Sequence, residues 1–135
     1  MEAGLLGISG AHIHHYDALS RQTSQEDFAL IGGSLLPIST VNYQHSPAGD
    51  RTQMSTLNPA LGVLTYQHDP DHLLTQITHT TTSPQVHTFT HDPGMRQKTH
   101  TLPNLSVETR NYDGKERLQQ LLTRTSLNAT LSDLG

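Results

Sequence analysis

The chain is 135 residues long with a mass of 14.9 kDa, a length that suits a single domain. Leu, Ile, Val and Phe together number 30, about 22% of the residues, which is thin material for a core. Yet only 15% of residues are charged, which excludes a chain held open by self-repulsion. A net charge of −4 excludes the basic stripe of a general nucleic-acid binder, and the lack of cysteine excludes a disulfide framework, a thiolate metal site and a cysteine nucleophile.

Met1–Gly10 has neither a basic segment nor an apolar run of signal-peptide length, so no signal peptide is evident, and residues 1–11 are expected to be irregular. The segment HIHHYDALSRQTS begins at His12. The longest apolar stretch, Phe28–Ile38, is interrupted by Gly32, Gly33, Ser34 and Pro37 and is too short to span a bilayer. Four further segments align with the first: VNYQHSPAGDRTQMS from Val41, LTYQHDPDHLLTQIT from Leu64, HTFTHDPGMRQKTH from His87 and TRNYDGKERLQQL from Thr109. Their anchors are Asp17, Ser46, Asp69, Asp92 and Asp113. The chain's 14 His or Tyr and 8 Asp residues would give about one His/Tyr-Asp pair by chance, but four occur: Tyr16-Asp17, His68-Asp69, His91-Asp92 and Tyr112-Asp113. Five of the six aromatic residues occupy two motif positions. Tyr43, Tyr66 and Phe89 lie three before an anchor; Tyr16 and Tyr112 lie one before. Two residues apart on a strand, those positions share a face.

Each segment reads as a strand entering a tight turn. An Asp or Ser at the first turn position accepts hydrogen bonds from N–H groups ahead, and the Pro that follows in three segments presets φ near −65°. A long side chain then points back along the outgoing strand at Arg21, Arg51, Arg96 and Arg117, where the third segment has Leu73 and Leu74. Thr-rich runs follow (Thr and Ser total 29), and Thr favours strands. Second turn signals come at Gly32-Gly33, Asn58-Pro59, Thr82-Ser83-Pro84 and Leu102-Pro103-Asn104. One β-hairpin per 21–29 residues predicts an all-β chain of antiparallel hairpin repeats forming a curved or spiral sheet, as one repeat region over 1–135. Only Lys115–Arg124 conflicts. Asp113-x-x-Glu116 resembles a capping box, and Leu118, Leu121 and Leu122 have helical spacing; repeat register favours a strand.

These segments resemble the YD repeats of the Rhs family, whose pattern is close to x-Tyr-x-Tyr-Asp-x-x-Gly-Arg with Leu/Thr/Ser-rich strand residues after it. HHYDALSRQTS, YQHSPAGDRTQMS and RNYDGKERLQQL match best, and the resemblance covers about residues 12–135, including a tail, LTRTSLNATLSDLG, that looks like the approach to a further repeat. The family glycine survives only as Gly49; Ser20, His72, Met95 and Glu116 replace it. If that position keeps φ > 0, each replacement costs roughly 1 kcal/mol. The tyrosine before the Asp has become His45, His68 and His91. The resemblance implies a segment of β-shell wall from a secreted or cell-surface protein, enclosing or displaying a toxin or surface domain, with neighbouring YD repeats or the rest of a shell as partners, toxin cargo as a further one, and no chemistry or cofactor of its own. The alternative it implies is a module that binds carbohydrate or another cell-surface ligand. His91-Asp92-Pro93-Gly94 resembles the Asp-Pro element of the family's cleavage region, but its register makes it a turn.

Ten histidines invite a metal reading. His45, His68 and His91 occupy one repeat position; hairpin repeats would set them roughly 9.6 Å apart, too far for ligands each about 2.1 Å from one zinc. His68-Asp69-Pro70-Asp71-His72 is better read as a polar turn, since Pro70 opposes a helical His-x-x-x-His face. No nucleophile elbow, P-loop or dinucleotide fingerprint is present. The sequons at Asn104 and Asn128 are incidental under a bacterial ancestry. A sheet of five hairpins with so few large apolar residues has two faces to cover and two open edges. In isolation it is expected to be marginal or to self-associate.

Overall fold

A computed structural model describes residues 10–126 and 130–134. The described chain is all-β, with eleven strands, one 3₁₀ turn at Pro59–Leu61 and no α-helix. Two compact units divide it, residues 1–63 and 64–135. The first holds β1 (Gly10–Tyr16), β2 (Gln22–Ile31), β3 (Ser34–His45) and β4 (Arg51–Thr56). To the second belong β5 (Val63–His68, all but its first residue), β6 (Leu74–Thr80), β7 (Gln85–His91), β8 (Gln97–Thr101), β9 (Val107–Tyr112), β10 (Leu118–Arg124) and β11 (Thr130–Leu134). Within each unit, spatial order is chain order. The sequence reading differs at the start: Gly10 and Ala11 already belong to β1, paired with Ala29 and Phe28. Residues 1–9, the remainder of the segment expected to be irregular, lie outside the described residues, as does Asn128.

Turn chemistry sets the connections. Gly32 and Gly33 both have positive φ (59° and 84°) and join β2 to β3 in two residues, the dihedral demand of a primed hairpin turn. Within β3, Pro37 has no N–H to give the ladder. It sits opposite Phe28, and the register slips beside it, leaving Ile38 as an extra residue. The Lys115–Arg124 conflict resolves as strand. Glu116 has φ 65°, so the segment reverses direction there, and β10 pairs antiparallel with β9 on one side and β11 on the other.

The units form no apolar interior. Among the described residues no hydrophobic side chain is buried; the buried residues are Thr40 and Ser106, 8% and 5% exposed. A sheet needs a second layer to hide a face, and within each unit the described strands lie side by side in one sheet.

Candidate functional site: the corner motif

Five repeat anchors sit at five hairpin corners of one construction. At each, the anchor N–H donates to the carbonyl four residues on, and the residue three on donates back to the anchor carbonyl. The pairs are Asp17/Arg21, Ser46/Asp50, Asp69/Leu73, Asp92/Arg96 and Asp113/Arg117, with N···O distances of 2.8–2.9 Å for the first bond. The residue at the third position therefore takes positive φ: Ser20 61°, Gly49 105°, His72 63°, Met95 62° and Glu116 65°. A sixth corner, Leu102–Ser106, has the same two bonds, with Leu105 at 65°. The sequence shows Leu102-Pro103-Asn104 as a turn but hides its kinship, because Leu replaces the anchor Asp and Asn104 Oδ1 accepts the Ser106 N–H instead.

The aspartate explains why the repeat keeps it. Asp17 Oδ1 accepts from the N–H groups of Leu19 and Arg21, and its Oδ2 accepts from Arg21 Nε at 2.7 Å. Asp92 does the same with Gly94, Arg96 and Arg96 Nε, and Asp113 with Lys115, Arg117 and Arg117 Nε. Asp69 Oδ1 accepts from Asp71 and Leu73. One oxygen thus closes the turn, while at Asp17, Asp92 and Asp113 the other holds the arginine four residues on. At Ser46 the hydroxyl makes only the Asp50 N–H bond of this set, at 3.1 Å, and donates to Asp50 Oδ2.

These bonds favour the charged carboxylate. The Arg21 N–H holds Asp17 below the usual carboxylate range. The Arg96 side chain does so for Asp92, whose carboxylate in turn raises Arg96, and the Arg117 N–H does so for Asp113. Outside the corners, His12 Nδ1 lies 2.7 Å from Asp27 Oδ1 and lowers that carboxyl.

Each outgoing strand carries a second repeated device. After the corners at Asp17, Ser46, Asp92 and Asp113, the ladder skips one residue: Thr23, Thr52, Lys98 and Gln119. Such bulges bend and twist a strand. They lie six after the anchor and leave no compositional trace.

The arginines do not all play one part. Arg21 reaches the following corner, where Nη1 donates to the Ser46 carbonyl at 2.7 Å. Arg96 also reaches forward: its guanidinium carbon lies 4.7 Å from the centre of the Tyr112 ring. Arg117 is bound to Asp113, with a side chain 73% exposed. Arg51 departs from the pattern. It lies five after Ser46 rather than four, pairs with His45 and stacks 4.5 Å over Tyr43. Tyr16 is 60% exposed opposite Gln22, whereas Tyr112 is half-buried and donates its hydroxyl proton to the Gln97 carbonyl.

Tyr66 and Phe89 line a different feature, a shallow depression of about 470 Å³ shared with Ile77, His79, His87 and His100. Here the sequence reading overlooked a network. His100 stacks on Phe89 (4.7 Å between centroids) and His87 (5.1 Å), His87 Nδ1 lies 2.9 Å from His100 Nε2, and His100 Nδ1 lies 3.3 Å from Glu108 Oε2. Arg110 approaches the same Glu108 oxygen at 3.6 Å. Phe89–His100 and His100–Glu108 are direct cross-strand partners, so the signal is strand register, not spacing along the chain. Desolvation, then the neighbouring His100, lowers the His87 pKa below the ordinary imidazole value. No group of three or more His, Asp or Glu able to hold a metal occurs among the described residues, nor is any helix there long and apolar enough to cross a membrane.

No family model and no curated protein matches this sequence. Among solved structures, the crystal structure of TcdB2-TccC3-Cdc42 is similar over 88% of this chain, with a TM-score of 0.73 and 16% identity. At that identity the likeness is one of fold, and this chain spans 6% of that one. A DUF3836 family protein from Parabacteroides distasonis aligns over 90% of this chain and 94% of its own (TM-score 0.32, 13% identity). A protein of unknown function from Bacteroides fragilis aligns over 95% and 92% (TM-score 0.31, 10% identity).

Proposed function

We propose that this chain is a structural repeat segment of an Rhs/YD-repeat protein, a stretch of β-shell wall that encloses or displays a toxin or surface domain and has no chemistry of its own. The observation that carries the reading is the corner: one hydrogen-bonded device repeated six times on strands that bury no apolar side chain among the described residues. Polar groups are spent on fixing chain reversals, and the apolar side chains await cover from other layers. Fold likeness to a region of the TcdB2-TccC3-Cdc42 toxin complex supports the same role. On this reading the partners are further repeats and an enclosed or displayed domain, at the cell surface or after secretion. Two measurements test it. The coding sequence around this segment should contain more corners of the same spacing, and the isolated chain should associate in analytical ultracentrifugation. A stable monomer melting cooperatively above about 60 °C, with no further corners encoded nearby, would overturn it.

A second reading has one observation in its favour. The Tyr66–Phe89–His100 depression offers aromatic faces and imidazole nitrogens together, a combination suited to carbohydrate. Saturable binding on a glycan array, lost in Tyr66→Ala and Phe89→Ala, would select it; no binding would discard it.

A further inference from the structure

Two corners send an arginine forward, and the Asp69 corner does not. Arg21 spans from the Asp17 corner to Ser46, and Arg96 spans from the Asp92 corner to Tyr112. The equivalent position after Asp69 is Leu73, which can neither hold the anchor carboxylate nor reach the next turn. A groove of about 470 Å³ lies there, between the Asp69 and Asp92 corners. The carboxylates of Asp69, Asp71 and Asp92 rim it, and Leu73, Phe89 and Met95 supply apolar wall. Its volume falls in the range of about 300–1,000 Å³ typical of ligand clefts.

We propose that this groove is a docking seat for an arginine side chain on a segment of another polypeptide, which supplies from outside the guanidinium that Leu73 omits. Two repeats of this same chain show an arginine held by an anchor carboxylate while it reaches the next repeat, at the Ser46 carbonyl and at the Tyr112 ring. Asp92 is already engaged by Arg96, so Asp69 and Asp71 are the carboxylates on offer. Guanidinium matches carboxylate geometry with paired donors, which an ammonium cannot do. The methylene stem of an incoming arginine would lie along Leu73 and Met95, and Met95 is 62% exposed with room for such cover. The inference rests on corner geometry and stands apart from the shell reading.

The test is an NMR titration of the full chain at neutral pH with a blocked Gly-Arg-Gly peptide, with the neutral citrulline peptide as its control. Saturable amide shifts are expected at residues 69–75 and 89–95, with none from citrulline. Leu73→Arg fills the seat from within and should weaken the arginine peptide at least tenfold. Gln119→Arg, which adds the same charge at a different corner, should leave binding unchanged. Equal shifts with citrulline, shifts spread over every corner, or full binding by Leu73→Arg would each overturn the proposal. Should Leu73→Arg fail to fold, Asp71→Asn provides the second arm: unchanged affinity there would count equally against it.

Discussion

Arg96 and Tyr112 tie the Asp92 and Asp113 corners together: the guanidinium lies 4.7 Å over the ring, while the phenol hydroxyl donates to the carbonyl of Gln97, the residue after Arg96. One tyrosine thus grips the previous corner through its face and its edge. The guanidinium also remains paired with Asp92 and adds to the field that lowers Asp113. A repeat chain without an apolar interior holds its neighbours in register through such contacts.

Tyr112→Phe separates the two grips. It keeps the stack and removes the hydroxyl, so the loss should be about 1 kcal/mol, the net value of one hydrogen bond. Tyr112→Ala removes both and should cost more. Urea denaturation would measure the two, and equal losses would show that the ring contributes nothing beyond its hydroxyl.

At Asp92, asparagine can still accept the two turn N–H bonds but gives up the ionic bond to Arg96; alanine gives up everything. The thermal midpoint should therefore fall most for Asp92→Ala and less for Asp92→Asn, with Asp71→Asn, which keeps the backbone N–H that Asp71 gives its own corner, nearly unchanged. An Asp92→Asn midpoint as low as that of alanine would assign the corner's strength to charge alone.

Met95 and Leu105 are non-glycine residues in the left-handed region, 62% and 65% exposed. Glycine relieves the steric cost of that conformation, while its extra freedom in the unfolded chain takes part of the gain back. Since little packing is lost, Met95→Gly and Leu105→Gly should each stabilise by roughly 0.5–1 kcal/mol. The converse, Gly49→Ala, should destabilise by a similar amount. Nothing lies within 4 Å of where its Cβ would stand, so the penalty is conformational alone. Melting curves of the three variants would check both signs, and destabilisation by Met95→Gly would mean that its side chain packs usefully after all.

Corners were legible in the sequence because their cause is local. An Asp that bonds N–H groups two and four residues ahead must recur with a fixed neighbourhood, whatever the strands do. Alternative turn chemistry at Leu102–Ser106 hid the kinship of the sixth corner. Arg51 misled because an arginine one residue late looks equivalent in an alignment, yet it serves Tyr43. The His87–His100–Glu108 network depends on three strands at once, and its register follows bulges that composition does not mark.

That network should make the second unit sensitive to mild acid. Glu108 accepts from His100 Nδ1, so a neutral His100 has Nε2 free to accept, and His87 Nδ1 must carry the proton between them. A proton added to His87 places an imidazolium ring against His100, in a network that already holds Arg110 and has Glu108 as its one carboxylate. Because the folded pKa of His87 is lowered, its contribution is complete above the unfolded value near 6.5 and is lost as pH falls below it. The carboxylates of Asp17, Asp27, Asp92 and Asp113 are lowered too, so their contribution is complete above about 3.9 and is lost below that. The melting midpoint should therefore fall in two steps between pH 8 and pH 3. His87→Gln should flatten the first step and leave the second, whereas Asp92→Asn should shrink the second and leave the first. A midpoint that stays level from pH 8 to pH 5, or a His87→Gln profile that still drops there, would show that the imidazole pair does not couple protonation to folding.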